Sequence, residues 1–306
     1  MASQRVIGVD LGGTKILAGV VDRDGAVERR RESPTPLRSQ EELLRALETA
    51  VGEVLEDSVA AIGFGVPSTI DQRTGRAVTS VNIPLEDLDL RAWMRDRFGL
   101  PVGLDNDANA ATLAEWAHGA GRGTRHMVML TLGTGVGGGL ILNGKPYRGA
   151  IGAGGELGHM VIDLDGPPCQ GDCTGRGHLE ALASGHAATL AARAHFGPAV
   201  DAHRLVRLAN EGDRTAVDVL AELGRRLGAG IGSLVNIFNP EVVVVGGGFA
   251  AAGDFLLEPA REVVAREALS PARELVRIVR AELGTAAGLV GAGLVAFEAL
   301  DGAASA

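Results

Sequence analysis

The chain has 306 residues, 46% hydrophobic and 22% charged, which excludes a disordered or fibrous protein and allows one large domain or two lobes. With 29 basic against 38 acidic side chains the net charge is −9, which argues against a polyanion such as DNA as the main partner. No apolar run reads as a membrane span, and Met1 to Arg5 leads into a strand without a secretory apolar region, so the expected compartment is the cytoplasm.

Val6 to Asp10 reads as a short β-branched strand that breaks at Leu11-Gly12-Gly13-Thr14-Lys15 and resumes as Ile16 to Val21, a hairpin with a glycine tip that turns again at Asp22 to Gly25. A helix follows from Ser39, where Ser39 and Glu42 form a capping box and Leu43, Leu44, Leu47, Val51, Val54 and Leu55 keep helical spacing. Ala60 to Val66 and Pro101 to Asp105 are buried strands, the second opening into a helix at Asn106-Asp107-Ala108-Asn109. The first pattern then returns about 120 residues on: Met127 to Leu132, the tip Gly133-Thr134-Gly135-Val136-Gly137-Gly138-Gly139, then Leu140 to Leu142. Long helical stretches (213–237, 254–268) flank the strand Val242 to Val245 and the cluster Gly246-Gly247-Gly248. Strands alternating with helices predict an α/β fold of two related lobes, 1–120 and 121–306, with a C-terminal helix near 286–300 as a candidate to complete the first.

Tight glycine turns expose backbone N–H groups that can cradle phosphate oxygens. Asp10 at a strand end can hold Mg²⁺ through water, and Thr14 and Lys15 add a hydroxyl and a charge. Of the 29 basic side chains only Lys15 and Lys145 are lysines. Neither tip has Walker A or Rossmann spacing, so each alone could be a plain hairpin turn. Between strand and helix, Asp105 and Asn106 are expected as N-caps and Asp107 as a general base. Glu156, His159 and Glu180 surround a loop that cannot be helical and that holds both cysteines, Cys169 and Cys173, with His178. Those four N/S groups fit either a closed structural Zn²⁺ site or a loop without metal.

Asp10 to Lys15, Asn106 to Asn109, Leu132 to Gly139, Glu156 to His159 and the cysteine loop closing at Glu180 together resemble the ROK family of repressors, open reading frames and sugar kinases, over about residues 5 to 297. The resemblance implies a ribonuclease H-like (actin-like ATPase) fold of two α/β lobes with a cleft. It implies ATP phosphates against Gly12, Gly13, Thr14, Lys15, Thr134 and Gly135, the nucleoside near Gly247, and Asp107 as base. It further implies hexose contacts from Gly65, Asn82, Asn106, Glu156, His159 and Glu180, zinc on His159 as well, and a homodimer or homotetramer. Two positions depart from the family pattern. The usual Cys-x-Cys is spread to Cys169 and Cys173, with His178 in place of a third cysteine, and Ser68 stands where glycine is frequent, which would narrow the sugar pocket.

The implied activity is ATP-dependent phosphorylation of a hexose at its 6-hydroxyl, with glucose foremost and fructose, mannose, allose or an N-acetylhexosamine as alternatives; polyphosphate is an alternative donor. A sugar-responsive regulator of the same family would carry a helix-turn-helix before the first tip, where only nine residues precede Asp10.

Overall fold

The computed structural model describes residues 4–80 and 82–304. The chain forms two compact units: residues up to 122 with 146–155 and 285 onward make unit 1, and residues 123–145 with 156–284 make unit 2.

Unit 1 opens on the expected hairpin. β1 (Arg5–Leu11) pairs antiparallel with β2 (Lys15–Asp22), from Arg5 opposite Asp22 to Leu11 opposite Ile16. β3 (Val27–Pro34) adds to the edge of β2. No periodicity announces β3, because its centre is the charged run Glu28 to Glu32, a composition that suits an exposed sheet edge. α1 (Gln40–Val54) starts where Ser39 Oγ accepts the Glu42 N–H at 3.2 Å, and it buries the leucines and valines of its apolar stripe. β4 (Val59–Val66) is followed by a small antiparallel sheet of β5 (Ser68–Asp71), β6 (Arg76–Ser80) and β7 (Leu88–Asp89), which no sequence pattern announces. α2 (Leu90–Phe98), β8 (Val102–Asn106) and α3 (Asp107–His118) follow. The main sheet runs β3-β2-β1-β4-β8, with β1, β4 and β8 parallel.

Unit 2 repeats the plan. β9 (Met127–Leu132) and β10 (Val136–Leu142) form the second glycine-tipped hairpin, and β11 (Lys145–Pro146) is a two-residue edge. Then come α4 (Leu179–Ala183), α5 (Gly185–Phe196), α6 (Ala202–Asn210) and α7 (Arg214–Phe238). β12 (Val242–Gly246), α8 (Asp254–Glu267), α9 (Ala272–Leu275) and β13 (Arg277–Arg280) complete it. The order β11-β10-β9-β12-β13, with β9, β12 and β13 parallel, matches the sheet of unit 1 strand for strand. β12 is buried along its whole length, as a central parallel strand must be.

α10 (Ala287–Ala304) belongs to unit 1, and it corrects the expectation that no apolar run has the length of a membrane span. With the turn before it, from Gly284, it is long and apolar enough to cross a membrane. It is instead a core helix that meets the sheet backbone to backbone. A Cβ on Gly63 would stand 1.9 Å from the Ala292 carbonyl oxygen, and one on Gly103 2.2 Å from that of Val295. On the α3 side, a Cβ on Gly291 would stand 1.9 Å from the Ala110 carbonyl oxygen. α10 also carries Glu298 and Asp301, ion-paired with Arg148 and Arg23.

Overpacking such a contact costs about 3 kcal/mol, so Gly63→Ala is expected to lower the unfolding free energy by about that much. A Cβ added at Gly52, in α1, would meet no atom within 4 Å. Gly52→Ala is therefore expected to raise stability by about 0.5–1 kcal/mol. Urea denaturation of both variants checks the contrast, and equal effects would refute the close approach.

Candidate active site

In unit 1 the parallel register sets Asp10, Gly65 and Asp105 in one row across β1, β4 and β8. Gly65 keeps the row open: its Cβ would lie 3.1 Å from Ala110 Cβ and 3.7 Å from Asp107 Cα. Asn106 is the N-cap of α3, its Oδ1 accepting the Ala108 and Asn109 N–H groups at 2.9 and 3.3 Å. Asp107 occupies the first turn, its Oδ1 accepting the Ala108 N–H at 2.8 Å, where the helix dipole favours a carboxylate. Asp105 is not the N-cap that its position suggests. It is 1% exposed and turns back into the unit to meet Arg148 Nε at 2.6 Å.

Burial, reinforced by the charge of Asp107 and opposed by Lys15 and Arg30, pushes Asp10 up to about 6. Room for this carboxylate exists because Gly288, in the first turn of α10, has no Cβ; one would lie 2.3 Å from Asp10 Oδ2. The hairpin tip closes with the Gly12 N–H donating to the Lys15 carbonyl at 2.9 Å. Thr35, which no motif singles out, holds the tip from beyond β3: its hydroxyl donates to the Gly12 carbonyl at 2.7 Å and its N–H to that of Thr14 at 3.1 Å. Lys15 Nζ pairs with Glu32 at 3.3 Å. Asn82 is exposed, its Cβ 3.6 Å from where a Gly13 Cβ would stand. The Ser68 hydroxyl lies 2.6 Å from that of Ser80 and donates to the Thr79 carbonyl at 2.9 Å, so it is engaged by β6.

In unit 2 the tip is fixed from two sides. The first N–H groups of α5, at Gly185 and His186, donate to the Gly133 and Thr134 carbonyls at 2.8 and 3.2 Å. Glu180 Oε2 accepts the Val136 N–H at 2.9 Å, and it leaves no room for a Cβ on Gly135, which would stand 2.1 Å away. Gly133 and Thr134 form one wall of a cavity of about 490 Å³, with His186 and Thr189 of α5, His203, Val206 and Arg207 of α6, and Gly248 and Phe249 beyond β12. These α5 and α6 residues carry no sequence motif. Gly247 adjoins the cavity through Gly248: its φ of +84° and a Cβ clash at 2.4 Å with the Leu132 carbonyl demand glycine there. Glu156 and His159 are exposed at either end of a short turn whose Gly158 is pressed on Val136, where a Cβ would lie 1.9 Å from the carbonyl oxygen.

The loop from Met160 to His178 brings His159, Cys169, Cys173 and His178 together, with one donor atom of each within 4.8 Å of the others. His159 Nδ1 is 3.2 Å from His178 Nδ1 and 3.7 Å from Cys169 Sγ, and Cys173 Sγ is 3.6 Å from His178 Nδ1. A tetrahedron with metal–N near 2.05 Å and metal–S near 2.3 Å has N–N edges of about 3.3 Å and N–S edges of about 3.6 Å, so these donors fit zinc. Burial pushes the Cys169 thiol up to about 11, helped by Cys173 and the Glu180 carboxylate, an effect that a bound cation reverses.

Two sheets of one strand order, each opening on a glycine-tipped hairpin, define the ribonuclease H-like, actin-like ATPase fold. The ROK family model matches residues 6–299, and the chain belongs to that family. It is 36% identical to a glucokinase of Streptomyces coelicolor, over 95% of this chain and 97% of that protein. Among solved structures it is similar to a ROK family glucokinase from Streptomyces griseus in complex with glucose and AMPPNP (TM-score 0.84, 35% identity, 96% of this chain and 99% of that one). It is also similar to the ROK hexokinase of Thermus thermophilus (TM-score 0.82, 39% identity, 97% of this chain and 99% of that one).

The raised Asp10 has a measurable sign. Between about pH 4 and 6 the folded chain holds a proton on Asp10 that the unfolded chain has lost, so this group's contribution to stability declines as pH rises. Asp10→Asn removes the effect. Without Mg²⁺ or nucleotide, the variant's stability relative to the parent is expected to improve by up to about 3 kcal/mol from pH 4 to 7. A difference independent of pH in urea titrations would refute the shift.

Proposed function

We propose that the chain catalyses ATP-dependent phosphorylation of a hexose at the 6-hydroxyl, with glucose as the principal substrate, in the cytoplasm. The observation that carries this reading is Asp107 on the first turn of α3, across the side-chain-free Gly65 row from the half-buried Asp10. Asp107 takes the proton of the 6-hydroxyl as that oxygen bonds to the γ-phosphorus and the bond to the β-phosphate oxygen breaks, releasing ADP.

Gly12 holds the tip through its own N–H, Gly13 and Thr14 offer backbone N–H groups and a hydroxyl to the phosphates, and Lys15 exchanges Glu32 for them as they arrive. Thr134 and Gly135 serve the same end from unit 2. The cavity beside Thr134 has apolar walls in Val206 and Phe249 and room for a purine nucleoside, which favours ATP over polyphosphate. Asp10 would hold Mg²⁺ through water; when bound, the ion supplies charge neutralisation to the phosphoryl oxygens. Asn82, Asn106, Glu156, His159 and Glu180 hydrogen-bond the sugar hydroxyls.

We assign the Cys/His cluster to structural zinc on His159, Cys169, Cys173 and His178. With Nδ1 of His159 in the cluster, its Nε2 stays available for a sugar hydroxyl.

Asp107→Ala is expected to lose at least about 100-fold in kcat while still binding glucose, read by coupled ADP release and by calorimetry. Near-normal turnover would remove Asp107 from the mechanism. The same assay against glucose, fructose, mannose, allose and N-acetylhexosamines tests the substrate, with ATP and polyphosphate compared as donors. Metal analysis is expected to find about one zinc per chain, and His178→Ala to lose it and to melt several degrees lower. A metal-free parent protein of unchanged stability would refute the zinc assignment.

A further inference from the structure

The Asp105 carboxylate is 1% exposed, yet the reaction has no use for it. It faces four donors: Arg148 Nε at 2.6 Å, the Asn106 N–H at 2.8 Å, Asn109 Nδ2 at 3.0 Å and Gln72 Nε2 at 3.3 Å. With its oxygens so engaged, it has no face for a substrate. Arg148 spans two carboxylates, since its Nη2 also meets Glu298 of α10 at 2.6 Å. The segment that delivers Arg148 is tied to unit 1 beside it. The Gln72 N–H donates to the Ile151 carbonyl at 2.8 Å, and Gly152, at φ +107°, lies so close to β5 that a Cβ would come within 2.1 Å of the Ile70 carbonyl oxygen.

A carboxylate so buried must be compensated, and its compensation holds the end of β8 in one orientation. Asn106 and Asp107 follow it directly, so the direction of the Asp107 side chain is set by how this strand end is anchored. We propose that Arg148 is a positioning residue for the general base, acting through Asp105 to fix the β8–α3 corner. The inference rests on the reading of Asp107 as base, because a corner without a reacting group would need no aim.

The test compares Arg148→Gln, Arg148→Lys, Asp105→Asn and the double variant Asp105→Asn/Arg148→Gln, with glucose and Mg-ATP, below the melting temperature of every variant. Small misplacements of a reacting group cost up to about 100-fold, so Arg148→Gln is expected to lose roughly 10- to 100-fold in kcat, with KM for glucose within about threefold. Arg148→Lys keeps a charge for Asp105 without the fork and is expected to recover part of the loss. Because both residues act on one corner, the double variant is expected to lose no more than Arg148→Gln alone.

Should Arg148→Gln fail to fold, the double variant, which buries no lone charge, carries the measurement. A folded Arg148→Gln that melts lower but turns over like the parent would reduce Arg148 to a stabilising role and overturn the inference alone. A parent protein that phosphorylates no hexose would overturn the functional reading and this inference with it.

Discussion

The steric fact on which unit 1 depends is that α10 and its sheet meet with main chain against main chain. Gly63 and Gly103 on the strands leave no side chain to cushion the contact, and Gly291 does the same for α3. Packing at this distance allows little sliding, because any shift drives a carbonyl into a Cα. The helix register is thereby set, and with it three distant features. Gly288 lies over the Asp10 carboxylate, Glu298 reaches Arg148, and Asp301 reaches Arg23. A contact that looks like core packing also places the acidic side of the site.

The two units put similar scaffolds to different uses. In unit 1 the carboxyl ends of parallel strands present acids, at Asp10 and beyond β8, where open α/β sheets commonly hold ligands. In unit 2 the corresponding hairpin tip is secured by acceptor groups already satisfied: α5 donates to its carbonyls and Glu180 accepts from Val136. Its tip therefore offers backbone, beside a cavity whose far wall carries Val206 and Arg207 of α6. The Cys/His loop adjoins the same region, since His178 opens α4, the helix that carries Glu180. Loop, helix and tip form one connected support.

Both hairpins, the capped α1, the β8–α3 corner and the cysteine loop are legible in the sequence because each is a local pattern: a glycine break, a capping box, a cluster of ligand types. β3 is hidden by the five consecutive charges that protect it as an edge. β5 to β7 are hidden by shortness. α10 is legible as a helix near 286–300, but the stretch from Ala287 to Phe297, ahead of Glu298, holds no polar side chain to show which side packs on the sheet. Asp105 reads as a cap because its true partner lies 43 residues away, and no spacing rule connects them. The walls of the unit 2 cavity escape for the same reason, His186, His203 and Phe249 being contributed by three separate elements.

The segmental make-up of unit 1 bears on how the chain is born. A ribosome finishes β1 to β8 early, but α10 emerges only after all of unit 2 has been synthesised. At roughly 5–20 residues per second, the sheet waits about ten to forty seconds with its glycine-lined face uncovered. Unit 2 has no such delay in its own sequence beyond the short excursion at 146–155. The later-made half of the protein can thus settle first, and the half that bears the acids is sealed last.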